Sequence, residues 1–158
     1  MTLSELALNK LIERGIEISE LAELVLMMQK KYDKSLTIKE CENAIYSVLK
    51  KREVVHTILT GIAIDEAAEN NLFDQQVNEL IIKDEPLYGL DEILALSIVN
   101  IYGSIALTNF GYLDKEKPGI IGKLDRKHTE DGKCHTYLDD IAAALVAAAL
   151  SRLAHNKK

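Results

Sequence analysis

The chain has 158 residues, 47% of them hydrophobic and 28% charged, enough to bury one sizeable core and too balanced for a disordered or fibrous protein. A formal net charge of -6 argues against a basic face that would neutralise nucleic-acid phosphates, so no nucleic-acid partner is expected and an anionic substrate would need a local cation. Cys41 and Cys134 lie far apart and form no Cys-x-x-Cys pattern, and the first residues are charged without a long apolar run; the expectation is reduced thiols, no signal peptide and a cytoplasmic protein.

Hydrophobic spacing predicts helix throughout, punctuated by glycines and by two prolines, Pro86 and Pro118. A first helix follows Thr2 and ends at Gly15, with Leu3, Leu6 and Leu11, and further Leu8 and Ile12, turned inward. A second runs from about Ser19 to Tyr32 and carries Leu21, Leu24, Val25 and Met28 on one stripe. Thr37 and Glu40 form a capping-box pattern for a third, with Ile38, Cys41, Ala44, Ile45, Val48 and Leu49 on its apolar face. A fourth spans Arg52 to Asn70, a fifth Gln75 to Lys83, and a sixth runs from near Asp91 to about Asn109. The last starts near Leu138 and ends in Arg152, His155, Asn156, Lys157 and Lys158, cations suited to the negative end of a helix dipole. With no alternating strand, repeat or low-complexity linker, the fold class is all-α: one domain, residues 1–158, a bundle of about six to eight helices around a central apolar helix.

Ile93 to Leu113 is a run of 21 residues without a charge, long enough for a membrane span. Ser97, Asn100, Gly103, Ser104, Thr108, Asn109 and Gly111 make it unfavourable for insertion, so it is read as the buried central helix of a soluble bundle. The alanines from Ala142 to Ala149 favour helix and would let a neighbouring backbone approach closely.

The chemistry follows first by elimination. No Gly-x-x-x-x-Gly-Lys phosphate loop, Asp-x-Asp nucleophile pattern or His-Glu-x-x-His zinc motif occurs, which leaves carboxylates. Asp91-Glu92 and Asp139-Asp140 stand at expected helix starts, where the dipole keeps them ionised and a hard cation such as magnesium would be suited. Capping is the competing reading for each pair. Asp65-Glu66 lies inside its helix and reads as a solvated face. Asp125 precedes Arg126, whose guanidinium could fork onto two phosphate oxygens, and Lys117, Lys123 and Lys127 could add point charges. Against that stands a plain surface salt-bridge cluster with Asp114, Glu116, Glu130 and Asp131. His128 is a candidate proton donor to a leaving alkoxide, Gly132 serves a turn, and Cys134 is expected to pack rather than react.

In order, Asp91-Glu92, an apolar helix, Lys117-Pro118, Leu124-Asp125-Arg126, a loop with Gly132, and Asp139-Asp140-Ile141-Ala142-Ala143 resemble the phosphatidylglycerophosphatase A family. The resemblance covers residues 90–150 and leaves residues 1–50 outside. It implies magnesium-dependent removal of the phosphomonoester from phosphatidylglycerophosphate or a related ester, by enzymes that are typically membrane-embedded. Residues and resemblance together give one expected site. Asp91, Glu92, Asp125, Asp139 and Asp140 bind one or two Mg2+ ions, Arg126 stabilises the transferred phosphoryl group, and Lys117 assists. The expected partners are a phosphate ester, which could be a lipid, a peripheral membrane contact and a second copy of the chain. Two alternatives stay open: a helical nucleotide pyrophosphohydrolase, for which Glu66 and Glu69 supply half a Glu-x-x-Glu pattern, and a non-catalytic helical protein that keeps the acidic cluster.

Overall fold

The computed structural model describes residues 1–128 and 130–156, and the backbone alone of Asp131. Lys157 and Lys158, placed above at the end of the last helix, lie outside the described residues. Among the described residues there are nine α-helices and no strand, so the expected all-α fold is the one observed.

The helices are α1 (Leu3–Glu13), α2 (Ile18–Gln29), α3 (Ile38–Val48), α4 (Arg52–Glu69), α5 (Gln75–Ile82), α6 (Leu90–Tyr102), α7 (Ser104–Glu116), α8 (Gly119–Arg126) and α9 (Leu138–His155). Local chemistry starts several of them. Thr2 with Glu5 and Thr37 with Glu40 each close a capping box, satisfying first-turn N–H groups that would otherwise lack partners, and at the start of α2 the Glu20 carboxylate accepts the Glu17 N–H at 3.1 Å. Ala7 and Leu11 bury the inner face of α1, which packs on α4, whereas Leu3 and Ile12 stay exposed, contrary to their expected inward positions, as does Ile38 in the first turn of α3.

The expected sixth helix is two. Gly103 adopts φ 89° and ψ -158°, a conformation open mainly to glycine, and separates α6 from α7. The uncharged run is therefore not the central helix, and its outer face is wet: Ile93 is 62% and Leu107 54% exposed. No helix among the described residues is long and apolar enough to cross a membrane.

The centre belongs to α9. Every residue from Leu138 to Ser151 is buried, and α2, α3, α4, α6, α7 and α8 all pack on this helix. A helix covered on all sides needs small side chains so that several neighbours can approach at once, and the six alanines from Ala142 to Ala149 meet that need while favouring helix. The helix at the centre is thus the alanine-rich one, and its first turn is fixed deep inside the molecule.

An acidic cavity at the start of the central helix

The first turn of α9 carries Asp139 and Asp140, both nearly fully buried. Neither side chain caps its own helix, and the same holds for Asp91 and Glu92 in the first turn of α6. The capping reading therefore fails for both pairs. The cap of α9 comes from α4 instead: the carboxylate of Asp65 accepts N–H from Tyr137 at 3.0 Å and from Leu138 at 3.0 Å. Asp65 is 0% exposed, so the expected solvated face is corrected. Its period within α4 gave no sign of this, because the groups that need it belong to residues about seventy positions later.

Around that start the chain builds a polar cavity of about 230 Å³ lined by Asp84, Asp91, Glu92, Asp114, Lys117, Asp139 and Asp140, with Glu85, Pro86 and Gly89 at one side. Carboxylate oxygens of Asp84, Asp125 and Asp139 lie within 4.8 Å of one another. Asp140 reaches the carboxyls of Asp91 and Asp114 at hydrogen-bonding range. Lys117 links the two groups, with Nζ 3.1 Å from Asp139 Oδ2 and 3.5 Å from Asp114 Oδ1. Asp84 and Lys117 hold left-handed backbone, with φ 49° and 48°, conformations that non-glycine residues adopt at some expense and that gather at functional sites.

The electrostatics are those of an overcrowded carboxylate cluster. Burial pushes Asp139 up to about 7 against the attraction of Lys117, and burial with the Asp139 charge drives Asp140 strongly upward. Burial also raises Asp84 and Glu92, helped by Asp91 and Asp114 respectively. For Lys117, burial favours losing the proton, but Asp139, Asp114 and Asp140 outweigh it and hold the ammonium well above its ordinary range. One ammonium cannot balance so many buried carboxylates, and Asp139 Oδ1 is buried with no partner among the described residues. Hard oxygen donors at this density fit a divalent cation such as magnesium.

Of the residues named from the sequence, Asp91, Glu92, Asp125, Asp139, Asp140 and Lys117 come together here. Asp125 arrives on α8 rather than on a loop. Arg126, next on α8, is exposed and lines a separate groove with Glu20, Glu23 and Met27, so it does not face the cavity. Asp84 and Asp114 were missed as site residues. Asp84 forms an acidic pair with Glu85 that follows α5 and precedes Pro86, away from any expected helix start, and Asp114 precedes Lys117 by three positions, a spacing that reads equally well as a surface ion pair.

The remaining candidates have other partners. His128 donates from Nε2 to the carbonyl of Ile82 at 2.5 Å and accepts at Nδ1 from the His135 N–H at 2.9 Å, so both ring nitrogens are occupied in tying the loop to α5. Glu66 pairs with Lys10 at 3.3 Å, and Glu69 pairs with Arg14 and accepts from the Cys134 N–H. The half-pattern of a pyrophosphohydrolase is thus engaged in holding α1 to α4. Cys134 is buried, and burial beside Asp65 pushes its thiol up to about 12, the behaviour of a packed rather than a reactive cysteine.

Fold and site define an all-helical protein built around a buried carboxylate cavity at the start of its central helix. The chain belongs to the phosphatidylglycerophosphatase A family, whose model matches residues 8–155. The match runs through α1, α2 and α3 as well as the part where the motifs were recognised. An uncharacterized protein of Bacillus subtilis, YutG, is 56% identical over 146 residues, covering 92% of this chain and 87% of that one. MJ1330 of Methanocaldococcus jannaschii, also uncharacterized, is 32% identical over 76% of this chain and 81% of its own. Among solved structures, the low temperature requirement C protein of Listeria monocytogenes superposes with a TM-score of 0.93 at 52% identity, covering 98% of this chain and 96% of that one. A protein of unknown function from Bacillus stearothermophilus gives a TM-score of 0.94 at 51% identity over 100% of this chain and 98% of that one.

Proposed function

We propose that this protein is a magnesium-dependent phosphomonoester hydrolase whose substrate is phosphatidylglycerophosphate or a closely related phosphate ester. The observation that supports it most is the approach of Asp84, Asp125 and Asp139 to within 4.8 Å of one another beside an unpartnered, buried Asp139 oxygen. Family membership supplies the reaction class.

Asp84, Asp125 and Asp139 would hold one cation, and Asp91, Asp114 and Asp140, with Glu92 beside them, offer donors for a second. A bound divalent ion supplies charge neutralisation for the phosphate and a water acidic enough to attack it. The protein's own groups prepare that encounter. Rigid burial of the first turn of α9 fixes Asp139 and Asp140 before any ligand arrives, so little reorganisation is needed. Among the described residues Lys117 is the one cation lining the cavity, and with a metal ion held by Asp139 it would be placed to meet a phosphate oxygen. Arg126, exposed on the outer side of α8, has no part in this version of the site. The apolar side chains of Leu87, Leu90 and Ile93, exposed next to the cavity-lining Pro86, Gly89 and Glu92, suit the lipid part of such a substrate and a peripheral membrane contact.

Phosphate release from phosphatidylglycerophosphate in mixed micelles tests the reading. Release that requires Mg2+ and falls by about 10²-fold or more in Asp139→Asn is expected. No release by clean wild-type protein, or release indifferent to Asp139→Asn, overturns it.

A further inference from the structure

A second cavity lies on another side of α8 and shares no lining residue with the acidic one. It encloses about 250 Å³ beside the end of α1 and α8, and Arg14, Lys123, Lys127, Lys133 and His135 line it together with Glu13 and Glu130. Four cations line it against two carboxylates, and two of the four are already paired with carboxylates outside the lining, Arg14 with Glu69 and Lys123 with Glu20 at 3.9 Å. Lys127 and Lys133 form no ion pair among the described residues, and Glu13 is paired with Lys10 at 3.8 Å.

The cavity wall also carries unmet hydrogen-bonding capacity. Arg14 is only 7% exposed and His135 only 5%. Arg14 donates through Nη2 to Glu69 and to the carbonyl of Cys134, but its Nε, like His135 Nδ1, is buried with no partner among the described residues. A buried polar group left unsatisfied is expensive, so Arg14 and His135 give this cavity a polar rather than a packed apolar wall. Ile120, Lys123, Leu124 and Lys127 fall at helical spacing along α8 toward this cavity, while Asp125 on the same helix reaches the acidic cluster.

We propose that this cavity is a binding site for a phosphate oxyanion, free or as a small phosphomonoester, held by Lys127, Lys133 and Arg14 with His135 at its wall. It stands independently of the reading of the acidic site. Because both cavities border α8, occupancy here would bear on the placement of Asp125.

The test uses the full chain stripped of metal with EDTA, in which the carboxylate cavity repels phosphate. Inorganic phosphate and glycerol phosphate are titrated separately by calorimetry at low ionic strength. Saturable one-to-one binding is expected, weakened at least ten-fold in the double variant Lys127→Gln, Lys133→Gln and unchanged in Asp139→Asn. Both variants alter side chains rather than backbone, and circular dichroism confirms that they fold. Binding of inorganic phosphate alone assigns the site to the free ion, and comparable binding of glycerol phosphate assigns it to monoesters as well. Absence of binding, binding untouched by the lysine variant, or binding lost in Asp139→Asn overturns the proposal.

Discussion

Lys117 and Asp139 form an ion pair at the heart of the acidic cavity: Nζ lies 3.1 Å from Oδ2, while Oδ1 of the same carboxylate is buried without a partner among the described residues. A protein cation thus occupies one oxygen of a carboxylate whose other oxygen makes no hydrogen bond among the described residues.

Replacing Lys117 should therefore separate binding from turnover. In Lys117→Met, a cation that repels a divalent ion is gone, so Mg2+ or Mn2+ affinity should rise several-fold, whereas phosphate release should fall by about 10²-fold. Metal titration and steady-state kinetics on the same preparation check both halves. Parallel loss of metal affinity and turnover would mean that Lys117 only holds the cavity together.

Asp65 should matter to the site without touching it. Asp65→Ala strands the N–H groups of Tyr137 and Leu138 at the start of α9 and should destabilise the protein by about 2–4 kcal/mol. The stabilisation that Mg2+ confers should shrink as well, because the turn presenting Asp139 loosens. A ligand that binds only the folded state at a hundred times its Kd adds about 2.7 kcal/mol; thermal melts with and without millimolar Mg2+ give the comparison.

His135 sets a pH dependence of definite sign. Burial, with Arg14 and His128 nearby, lowers it to about 4 from 6.5. Above pH 6.5 neither state is charged. As pH falls from 6.5 toward 4 the unfolded chain takes up a proton that the folded protein refuses, and about 2–3 kcal/mol of stability is lost. The raised carboxyls of the acidic cavity bind protons in the folded state over the same range and act in the opposite direction. The observable is therefore a difference: urea unfolding of metal-free wild type should lose more stability between pH 7 and pH 4.5 than that of His135→Gln. Equal losses would refute the assignment.

Two glycines offer a paired test of packing. A Cβ on Gly122 would overlap the backbone carbonyl oxygen of Lys117, whereas one on Gly61 would overlap the tip of the Ile141 side chain. A side-chain tip can rotate and a carbonyl at a helix end cannot, so Gly122→Ala should destabilise by about 2–4 kcal/mol and displace Lys117. Both alanines recover about 1 kcal/mol of helix propensity, and Gly61→Ala should lose less because only a side-chain tip must move there. Chemical denaturation of both variants checks the order.

Much of the fold was legible because its signals are local. Thr37 with Glu40 marked a helix start, and spacing located α2, α3, α4 and α5 within a few residues. The break at Gly103 was hidden by the uncharged composition on both sides. The central role of α9 was hidden because alanine reads as a good helix former wherever it sits. At the site, paired carboxylates at helix starts drew notice to Asp91, Glu92, Asp139 and Asp140. Asp84 and Asp114 escaped because they join the cluster only through tertiary packing. Arg126 is the converse case: it adjoins Asp125 in sequence, but neighbours on a helix point about 100° apart, and Arg126 lines another groove.

The most direct measurement is anomalous diffraction from crystals soaked in Mn2+, a hard cation that takes the same oxygen donors as Mg2+. A peak about 2.0–2.3 Å from carboxylate oxygens of Asp84, Asp125 and Asp139 is expected, with Asp139 Oδ1 among the ligands. A crystal at saturating Mn2+ with no peak between these three residues would contradict the metal site and, with it, the proposed chemistry.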